Sequence, residues 1–386
     1  FTDHMFECNY DNDKWEEPII KPYSSINLDP STHVFHYGQA IFEGMKGYKD
    51  KNEDLWLFRP KDNYERIKKS CERMHIPIIP EDYFFEGINR LVSLERDWVS
   101  NEPGSSIYIR PFVFSSSEML AASPSEKYKF LIICSPGAAY YSKPLSVYIE
   151  DKFSRAAPGG AGYAKAAGNY GAAFYPTSIA ISKGFDQIVW TDSSTHQKIE
   201  EVGTMSVVFR INDKLITPLT SDTILDGVTR KSVIQVARDI GIEVEERDIT
   251  VKELISEFKS GNLKEVFGCG TAAVIAPINS FGYKDEKFQL EELDNDFASK
   301  IKTAIIKKMF KIIMHKQDAI YLDQLCPKIN NKYWRDSLHK FTKNKCIYCG
   351  KPSESLDHLH PKSKGGESIT SNCVPCCLSC NGQKSD

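Results

Sequence analysis

Cysteine is distributed unevenly along this chain, and that distribution limits what the chain can fold into. Seven of the eleven cysteines lie between Cys326 and Cys380, and four of those seven form the CxxC pairs CIYC and CLSC. The remaining four are scattered before residue 270, a pattern typical of reduced core positions. Clustered CxxC pairs are typical of metal ligands. The chain therefore contains at least two pieces of different character.

Charge changes in the same region. Residues 321–386 carry 10 Lys+Arg against 6 Asp+Glu, whereas residues 1–320 carry 39 against 46. A length of 386 residues exceeds that at which a single core usually stops growing. No run of about 18 apolar residues occurs, which excludes a membrane-spanning helix. No signal-peptide pattern follows Phe1, so we expect a cytoplasmic protein without a membrane partner.

Apolar periodicity predicts a mixed α/β or α+β body. Alternating runs predict strands over 54–59, 106–114 and 129–134, and also near 187–191, 205–211 and 265–267. Helices are predicted over 61–75, 229–240 and 297–315. A Pro-, Gly- and Ser-rich stretch near residue 140 is typical of an interdomain linker. The predicted organisation is a small domain 1–136, a linker 137–144, a large domain 145–312 and a C-terminal module 313–386.

One lysine of the body stands in an unusual setting. The segment GGAGYAKAAGNYGAA (159–173) places Lys165 among small residues, which lets a bulky planar cofactor approach the backbone. Spacing alone leaves two alternatives open. Lys165 is either a solvated loop residue or a buried amine whose proton affinity is lowered, as a Schiff-base lysine requires.

The motif GYAKAAGNYG (162–171) resembles the lysine motif of the class IV, fold type IV aminotransferases, and residues 1–300 resemble branched-chain amino acid aminotransferases. D-amino acid aminotransferases and aminodeoxychorismate lyases would share Lys165 and Glu201, but FEGMKGY and FGCGTAA favour the branched-chain branch. Six further motifs occur in the family's order: HYGQAIFEGMKGYK (36–49), LFRPKDNYERI (57–67), IYIRPF (107–112), IEEVGTMS (199–206), ILDGVTRKSV (224–233) and EVFGCGTAAVIAP (265–277).

This resemblance implies a two-domain enzyme that uses pyridoxal 5'-phosphate. Lys165 would form the Schiff base and move the proton at the substrate Cα. Glu201, rather than its neighbour Glu200, would face the pyridine nitrogen, and Tyr170 would hydrogen-bond the 3'-oxygen. The phosphate would be held by Arg66, Val228, Thr229 and Thr271. A helix N-terminus suits a dianion, whereas Arg66 without the resemblance is equally consistent with a solvated helix face.

The resemblance also implies the substrates. L-leucine, L-isoleucine and L-valine would donate the amine, and 2-oxoglutarate would collect it as L-glutamate. Tyr37, Phe42 and Tyr108 would line the side-chain pocket, although aromatic residues of this kind are equally consistent with ordinary core. The main chain of Thr271 and Ala272 would meet the α-carboxylate, and Arg110 would lie where a second acid binds. The family consists of homodimers whose small domains contribute to the neighbouring site.

The C-terminal region contains a separate set of candidate metal ligands. Four thiolates at CxxC spacing can coordinate one structural Zn²⁺ with tetrahedral geometry. They are Cys346, Cys349, Cys377 and Cys380. Cys373 and Cys376 are further thiols that compete for this assignment.

The segment LDHLHPKSKGG (356–366) and the asparagines after it resemble the HNH endonuclease module, a small zinc-bound ββα unit. Asp357 and Asn381 would hold Mg²⁺ or another divalent cation, His358 would activate water, and Asn372 would orient that histidine. Nucleic acid would be the partner of this module, and the lysines around it are equally consistent with a solvated face. The chain stops shortly after Asn381, so we expect a truncated module.

Three hypotheses follow from the two pieces. The first is a transaminase, the second a metal-dependent nuclease, and the third a fusion of two truncated proteins with neither activity intact. No metabolic logic joins transamination to nucleic-acid cleavage, which favours a fusion over a bifunctional protein. About three quarters of the chain supports transamination, and this is the predicted function.

Overall fold

The computed structural model describes residues 1–50, 54–99, 105–137, 143–293, 296–312, 345–346, 349, 351–353, 355–358 and 373–377. The chain divides into two compact units, Phe1–Lys316 and Gln317–Asp386. None of the described helices has the length and apolar character that a membrane crossing requires.

The first unit opens with an antiparallel sheet that has eight strands among the described residues. These strands are β1 (His4–Asp11), β2 (Lys14–Trp15), β3 (Ile19–Pro22), β4 (Ala40–Phe42), β5 (Met45–Lys49), β6 (Leu55–Leu57), β7 (Ser106–Ser115) and β8 (Tyr128–Gly137). The order across the sheet is β2-β1-β8-β7-β5-β6, with β3 paired to β1 and β4 paired to β7. The helices inserted between these strands are α1 (His33–Tyr37), α2 (Pro60–Arg73) and α3 (Glu81–Leu94), and a 3₁₀ turn follows at Arg96–Trp98.

Helix α2 begins one residue before the predicted helix and ends two residues before its predicted end. Pro60 occupies the first turn, where its missing N–H leaves no backbone donor unpaired. His75 adopts a φ of 52°, which a right-handed helix cannot continue. The buried face of α2 carries Arg66 and Ser70, so this helix supplies two polar groups to the interior.

The second sheet is mixed and has nine strands in the described part of the chain. They are β9 (Leu145–Ile149), β10 (Gln187–Thr191), β11 (Ile199–Val202), β12 (Met205–Ile211), β13 (Lys214–Thr217), β14 (Glu243–Glu246), β15 (Leu263–Gly270), β16 (Val274–Tyr283) and β17 (Glu286–Gln289). Their order is β11-β10-β9-β16-β15-β12-β13-β14, and β17 pairs with β16. Because β11 also pairs with β12, the strands from β11 to β12 close on themselves.

Five helices accompany this sheet within the described residues. They are α4 (Gly168–Gly171), α5 (Phe174–Ser182), α6 (Val228–Asp239), α7 (Val251–Lys259) and α8 (Phe297–Ile312). The predicted helix 229–240 corresponds to α6. The predicted helix 297–315 corresponds to α8 as far as Ile312, and its last residues lie outside the described part. Each sheet has its own buried core, built around Phe84 and Phe130 in the first and around Phe209 and Phe281 in the second.

The passage from one sheet to the other falls in the segment predicted as a linker. Strand β8 continues to Gly137 because that residue pairs with Ser106 on β7. Strand β9 begins at Leu145. The first residue of the predicted linker is therefore the last residue of a strand.

The second unit has one described sheet of two antiparallel strands, β18 (Ser355–His358) and β19 (Cys373–Cys376). These match the two strands of the predicted ββα module. The predicted closing helix lies outside the described residues.

Candidate active site

The lysine loop between β9 and α4 is held by the first sheet and by α2. Ala166 forms an isolated antiparallel bridge with Ile41 on β4. The Lys165 backbone N–H donates to the Ser70 hydroxyl on α2 at 2.9 Å, and the Lys165 carbonyl accepts from the Phe42 N–H at 3.1 Å. The lysine therefore follows the first strand of the second sheet, whereas Ile41 and Phe42 on β4 and Ser70 on α2 fix its backbone.

The amine of Lys165 faces an aromatic pair. Its Nζ donates to the Tyr170 hydroxyl at 2.7 Å and lies 4.8 Å from the centroid of the Phe42 ring. The Tyr170 and Phe42 rings are themselves 4.8 Å apart. Lys165 is half-buried, which leaves its amine open to a ligand. Three residues predicted for one site thus lie together.

Glu201 is the buried acid of this region. Its side chain forms an ion pair with Arg155, with 2.7 Å between Oε2 and Nε, and its Oε1 accepts from the Leu225 N–H at 3.0 Å. Burial raises the pKa of Glu201, and the Arg155 guanidinium partly offsets that rise. The charges of Lys165 and Arg66 also act on this carboxylate, so the predicted amine, acid and phosphate-binding groups share one neighbourhood.

Glu200, the competing acid, occupies a different environment. Successive side chains on a strand point to opposite faces, and Glu200 accepts a hydrogen bond from the Thr223 hydroxyl. Burial raises the pKa of Glu200. The two neighbouring acids therefore have different partners, because Glu201 forms the ion pair with Arg155 and Glu200 does not.

Arg155 joins the segments that carry these groups. Its Nη2 donates to the carbonyls of Gly162 (3.1 Å) and Thr223, while its Nε pairs with Glu201. A Cβ on Gly162 would lie 2.7 Å from the Thr223 Cα, so only glycine permits this approach without movement of the backbone. The sequence analysis did not identify Arg155, because nothing near SRAAPGG indicates distant partners such as Glu201 and Thr223, the latter 68 positions away.

Arg66 is buried and makes three hydrogen bonds inside the protein. Its Nε and Nη2 donate to the two carboxylate oxygens of Glu43 at 2.7 and 2.8 Å, and its Nη1 donates to the Asp226 carbonyl at 3.1 Å. Burial by itself would raise the pKa of Glu43, but the charge and hydrogen bonds of Arg66 hold it below its usual value. Arg66 is thus a buried residue rather than part of a solvated helix face.

The start of α6 lies directly after this arginine contact. Asp226 precedes Gly227, the residue before the first helical turn, and the next two residues, Val228 and Thr229, are buried. The first N–H groups of a helix have no intrahelical acceptor and favour anions. Val228 and Thr229 also line a cavity with Thr271. The predicted phosphate-binding residues are therefore a helix N-terminus, a neighbouring guanidinium and a threonine on the cavity wall.

The predicted substrate residues separate into two groups. Arg110 donates from Nη2 to the Tyr108 hydroxyl at 2.9 Å, and its guanidinium carbon lies 4.6 Å from the Phe42 ring centroid. A Cβ on Gly44 would overlap the Tyr108 hydroxyl, so glycine at this position keeps space for the tyrosine. Tyr37, in contrast, is 42% exposed on α1, and its ring neighbours are histidines of the same helix.

The turn between β15 and β16 contains Thr271 and Ala272. The Ala272 carbonyl accepts a hydrogen bond from Lys46 Nζ at 2.8 Å. Val274, which starts β16, has a φ of 60°, a value that is a genuine outlier for a β-branched residue. Lys46 is buried and lines the same cavity as Thr271. Burial lowers the pKa of Lys46, and the nearby charge of Lys302 adds to this effect.

The second unit brings three of the predicted zinc ligands together. The sulfur atoms of Cys346, Cys349 and Cys377 all lie within 4.8 Å of one another. The Cys346 N–H donates to the Lys351 carbonyl at 2.7 Å, and Lys345 forms an isolated antiparallel bridge with Pro352. Asp357 and His358 lie on β18. The predicted fourth ligand Cys380, and also Asn372 and Asn381, fall outside the described residues.

Comparison with known proteins gives two family matches. Residues 40–281 match the family described as amino-transferase class IV, and residues 346–386 match the family described as HNH endonuclease. A Staphylococcus epidermidis protein, the "Probable branched-chain-amino-acid aminotransferase", is 45% identical over 292 residues, which is 74% of this chain and 81% of that protein. The "Branched-chain-amino-acid aminotransferase 2" of Bacillus subtilis is 40% identical over 328 residues, covering 84% of this chain and 88% of its own.

The fold also resembles solved structures. The crystal structure of the Escherichia coli branched-chain amino acid aminotransferase superimposes with a TM-score of 0.65 at 24% sequence identity. The superposition covers 80% of this chain and 94% of the other. The predicted fold class is confirmed.

Proposed function

We propose, from the premise that this chain belongs to the class IV aminotransferase family, that it transfers the amine of L-leucine, L-isoleucine and L-valine to 2-oxoglutarate. The observation that carries this proposal has two parts: Lys165 Nζ donates to Tyr170 of the same motif, and the charges of Lys165 and Arg66 both act on the buried Glu201, which comes from another segment. The curated relatives named above are branched-chain aminotransferases that this chain matches over most of their length, and this supports the choice of aliphatic amino donors.

The residues of the site fit pyridoxal 5'-phosphate. A half-buried amine, a buried carboxylate and an anion-binding helix N-terminus are the three groups that its aldehyde, ring nitrogen and phosphate require. When bound, this cofactor supplies an electron-withdrawing ring that makes the substrate Cα–H bond acidic. Arg66 and the first N–H groups of α6 would hold the phosphate, and Thr229 and Thr271 line one cavity.

Lys165, Tyr170 and Glu201 have separate roles in proton transfer. Lys165 Nζ takes the proton from the substrate Cα, and the Tyr170 hydroxyl, 2.7 Å away, holds that amine in place. Glu201 would stabilise a proton on the ring nitrogen of the bound cofactor. Arg155 keeps Glu201 oriented through its 2.7 Å ion pair.

Substrate recognition combines apolar rings with backbone donors. The Phe42 and Tyr108 rings form an apolar wall beside Lys165, and the turn at Thr271 and Ala272 offers backbone N–H groups to the α-carboxylate. Arg110 lies over the Phe42 ring, and its buried Nε has no hydrogen-bond partner among the described residues. A second carboxylate, as in glutamate and 2-oxoglutarate, would satisfy this guanidinium.

Homodimer formation is part of the same proposal. Tyr37 is predicted to line the pocket but is exposed on α1, and Phe35 on the same helix is 60% exposed. Large exposed apolar residues close together are typical of an interface. A second copy that covers α1 would explain how Tyr37 reaches a site, namely that of the neighbouring subunit. The cytoplasmic location expected from the sequence stays a prediction.

An amino-donor panel tests the proposed activity. With the cofactor-loaded chain and 2-oxoglutarate, we expect glutamate formation from L-leucine, L-isoleucine and L-valine. D-Alanine should give a kcat/KM lower by about 100-fold or more, because it lacks the aliphatic side chain and has the opposite configuration. Glutamate release is measured by a coupled assay, with L-alanine as the control for side-chain size. D-Alanine as the best donor would contradict the proposal.

The tail supports a second candidate function, metal-dependent cleavage of nucleic acid. The three converging thiols of Cys346, Cys349 and Cys377 are the observation that favours a structural Zn²⁺, with Cys380 as the proposed fourth ligand. Asp357, His358, Asn372 and Asn381 remain the proposed nuclease residues, with Mg²⁺ or a similar cation between them and the phosphate backbone. Plasmid nicking by the full chain, compared with His358→Ala, would test this second activity.

Zinc content is a separate prediction. We expect about one Zn²⁺ for each full-length chain, measured by atomic emission. Cys349→Ser should lose most of it, since it removes one of the converging thiolates. Cys326→Ser, a tail cysteine outside the CxxC pairs, serves as the matched control and should retain the metal. Equal zinc in both variants would exclude the cysteine site, and chelation should leave transamination unchanged.

A further inference from the structure

Lys46 is a buried lysine whose amine contacts the backbone of a distant turn. It lies on β5 opposite Tyr108, is 8% exposed, and donates from Nζ to the Ala272 carbonyl at 2.8 Å. The two residues are 226 positions apart in the sequence. This contact therefore connects the first sheet to the loop between β15 and β16.

Burial disfavours the charged form of the Lys46 amine. A buried ammonium loses its hydration, and only good partners compensate for that loss. Ala272 provides the acceptor, and the cavity beside Lys46 is lined by Thr229 and Thr271. If this side chain only filled space, methionine or leucine would fill it without the free-energy cost of burying a charge.

The turn that Lys46 contacts is itself strained. Val274 adopts a φ of 60°, which a β-branched residue reaches only when its surroundings hold it there. The Ala272 carbonyl stands two residues earlier, inside the same turn. A hydrogen bond from a charged donor to that carbonyl is one such constraint, because charge-assisted bonds are stronger than neutral ones.

We propose that Lys46 is a positioning residue that holds the turn at Thr271 and Ala272, so that the backbone N–H groups of this turn face the substrate carboxylate. The inference rests on the proposed function, since that assigns the α-carboxylate to this turn. Lys46 fixes the Ala272 carbonyl and with it the plane of the peptide that joins Ala272 to the next residue. The Thr271 and Ala272 N–H groups lie in the two preceding peptides of the same short turn, so an anchored Ala272 carbonyl limits how far these N–H groups can move.

Binding of an unreactive carboxylate measures this effect directly. 4-Methylpentanoate has the carbon skeleton of leucine without the amine, and its Kd for the cofactor-loaded chain is measured by calorimetry. Lys46→Met should raise this Kd by about 10-fold or more, the size expected for loss of a charge-assisted hydrogen bond. KM for both the amino donor and the 2-oxo acid should rise in parallel, while kcat and the cofactor Kd change much less.

Two variants separate positioning from a general effect of charge. Lys46→Arg keeps a cationic donor and should recover most of the affinity. Lys302→Met removes an exposed lysine whose charge acts on Lys46, and it should leave the Kd within about twofold because a screened surface charge contributes little. If Lys46→Met does not fold, Lys46→Gln replaces it, since the shorter amide stays polar but does not reach the carbonyl.

A double variant tests the strained turn. Glycine tolerates a positive φ without strain, so Val274→Gly added to Lys46→Met should bind 4-methylpentanoate more tightly than Lys46→Met alone. Unchanged Kd and KM values in an active Lys46→Met enzyme would overturn the inference while the transaminase proposal stands. A wild-type chain that neither binds the acid nor transaminates would overturn both.

Discussion

Lys165→Ala is expected to lower kcat by at least about 10⁴-fold, the combined loss of covalent attachment and of the proton-transferring base. No neighbouring residue replaces it. The Tyr170 hydroxyl, which accepts from Lys165 Nζ at 2.7 Å, has no basic nitrogen. The nearby arginines are already paired with carboxylates, Arg66 with Glu43 and Arg155 with Glu201. Single-turnover kinetics with L-leucine measure the loss, and the visible absorption of the lysine-bound cofactor should disappear with it.

Two comparisons make this result specific. Lys183→Ala removes an exposed lysine whose Nζ lies over the Tyr148 ring at 4.1 Å from its centroid, and we expect it to keep both activity and the visible band. Added methylamine should restore part of the activity of Lys165→Ala, because a small free amine can enter the space that the side chain leaves. A visible band and a rate like those of the wild type would contradict the assignment of Lys165.

Glu43→Gln is expected to lower the free energy of unfolding by about 3–5 kcal/mol, the cost of removing one partner from a buried ion pair. Glu43 is fully buried, and both of its oxygens accept from Arg66. The neutral amide would leave the Arg66 guanidinium buried without a counter-charge. Urea denaturation at pH 7 measures the change. Cofactor affinity should fall as well, because Arg66 would no longer be held beside the start of α6.

The same pair has a defined pH dependence. The pKa of Glu43 is lower in the folded protein than its usual value of 4.5, so its stabilising contribution is present above that value and is lost as the pH falls through the lowered folded pKa. The difference between wild type and Glu43→Gln should therefore be largest near neutral pH and shrink in acid.

The matched control for this prediction lies on the same helix as Arg66. Glu65→Gln alters an exposed pair with Lys68 and should change the free energy of unfolding by about 0.5 kcal/mol or less. Equal effects from both glutamine substitutions would contradict a special role for the buried pair.

Local motifs single out individual candidate residues, but they do not predict most of the contacts between those residues. Lys165 and Tyr170 lie five positions apart in one motif, and short-range chemistry could be inferred from that spacing. Glu43 is different, because it stands inside a motif but its partner lies 23 positions away on α2. No spacing rule connects a residue between β4 and β5 to that helix face.

The sequence by itself determined the mixed α/β character, the lysine motif, the acid before Val-Gly-Thr and the separate cysteine-rich tail, because each depends on residue types within one short segment. Only the tertiary structure decided that Arg66 is buried against Glu43, that Arg155 joins Glu201 to the lysine loop, and that Lys46 reaches Ala272. Those contacts bring together residues up to 226 positions apart. Segments from different parts of the fold meet at these contacts, and burial then determines which charged groups pair and which pKa values shift.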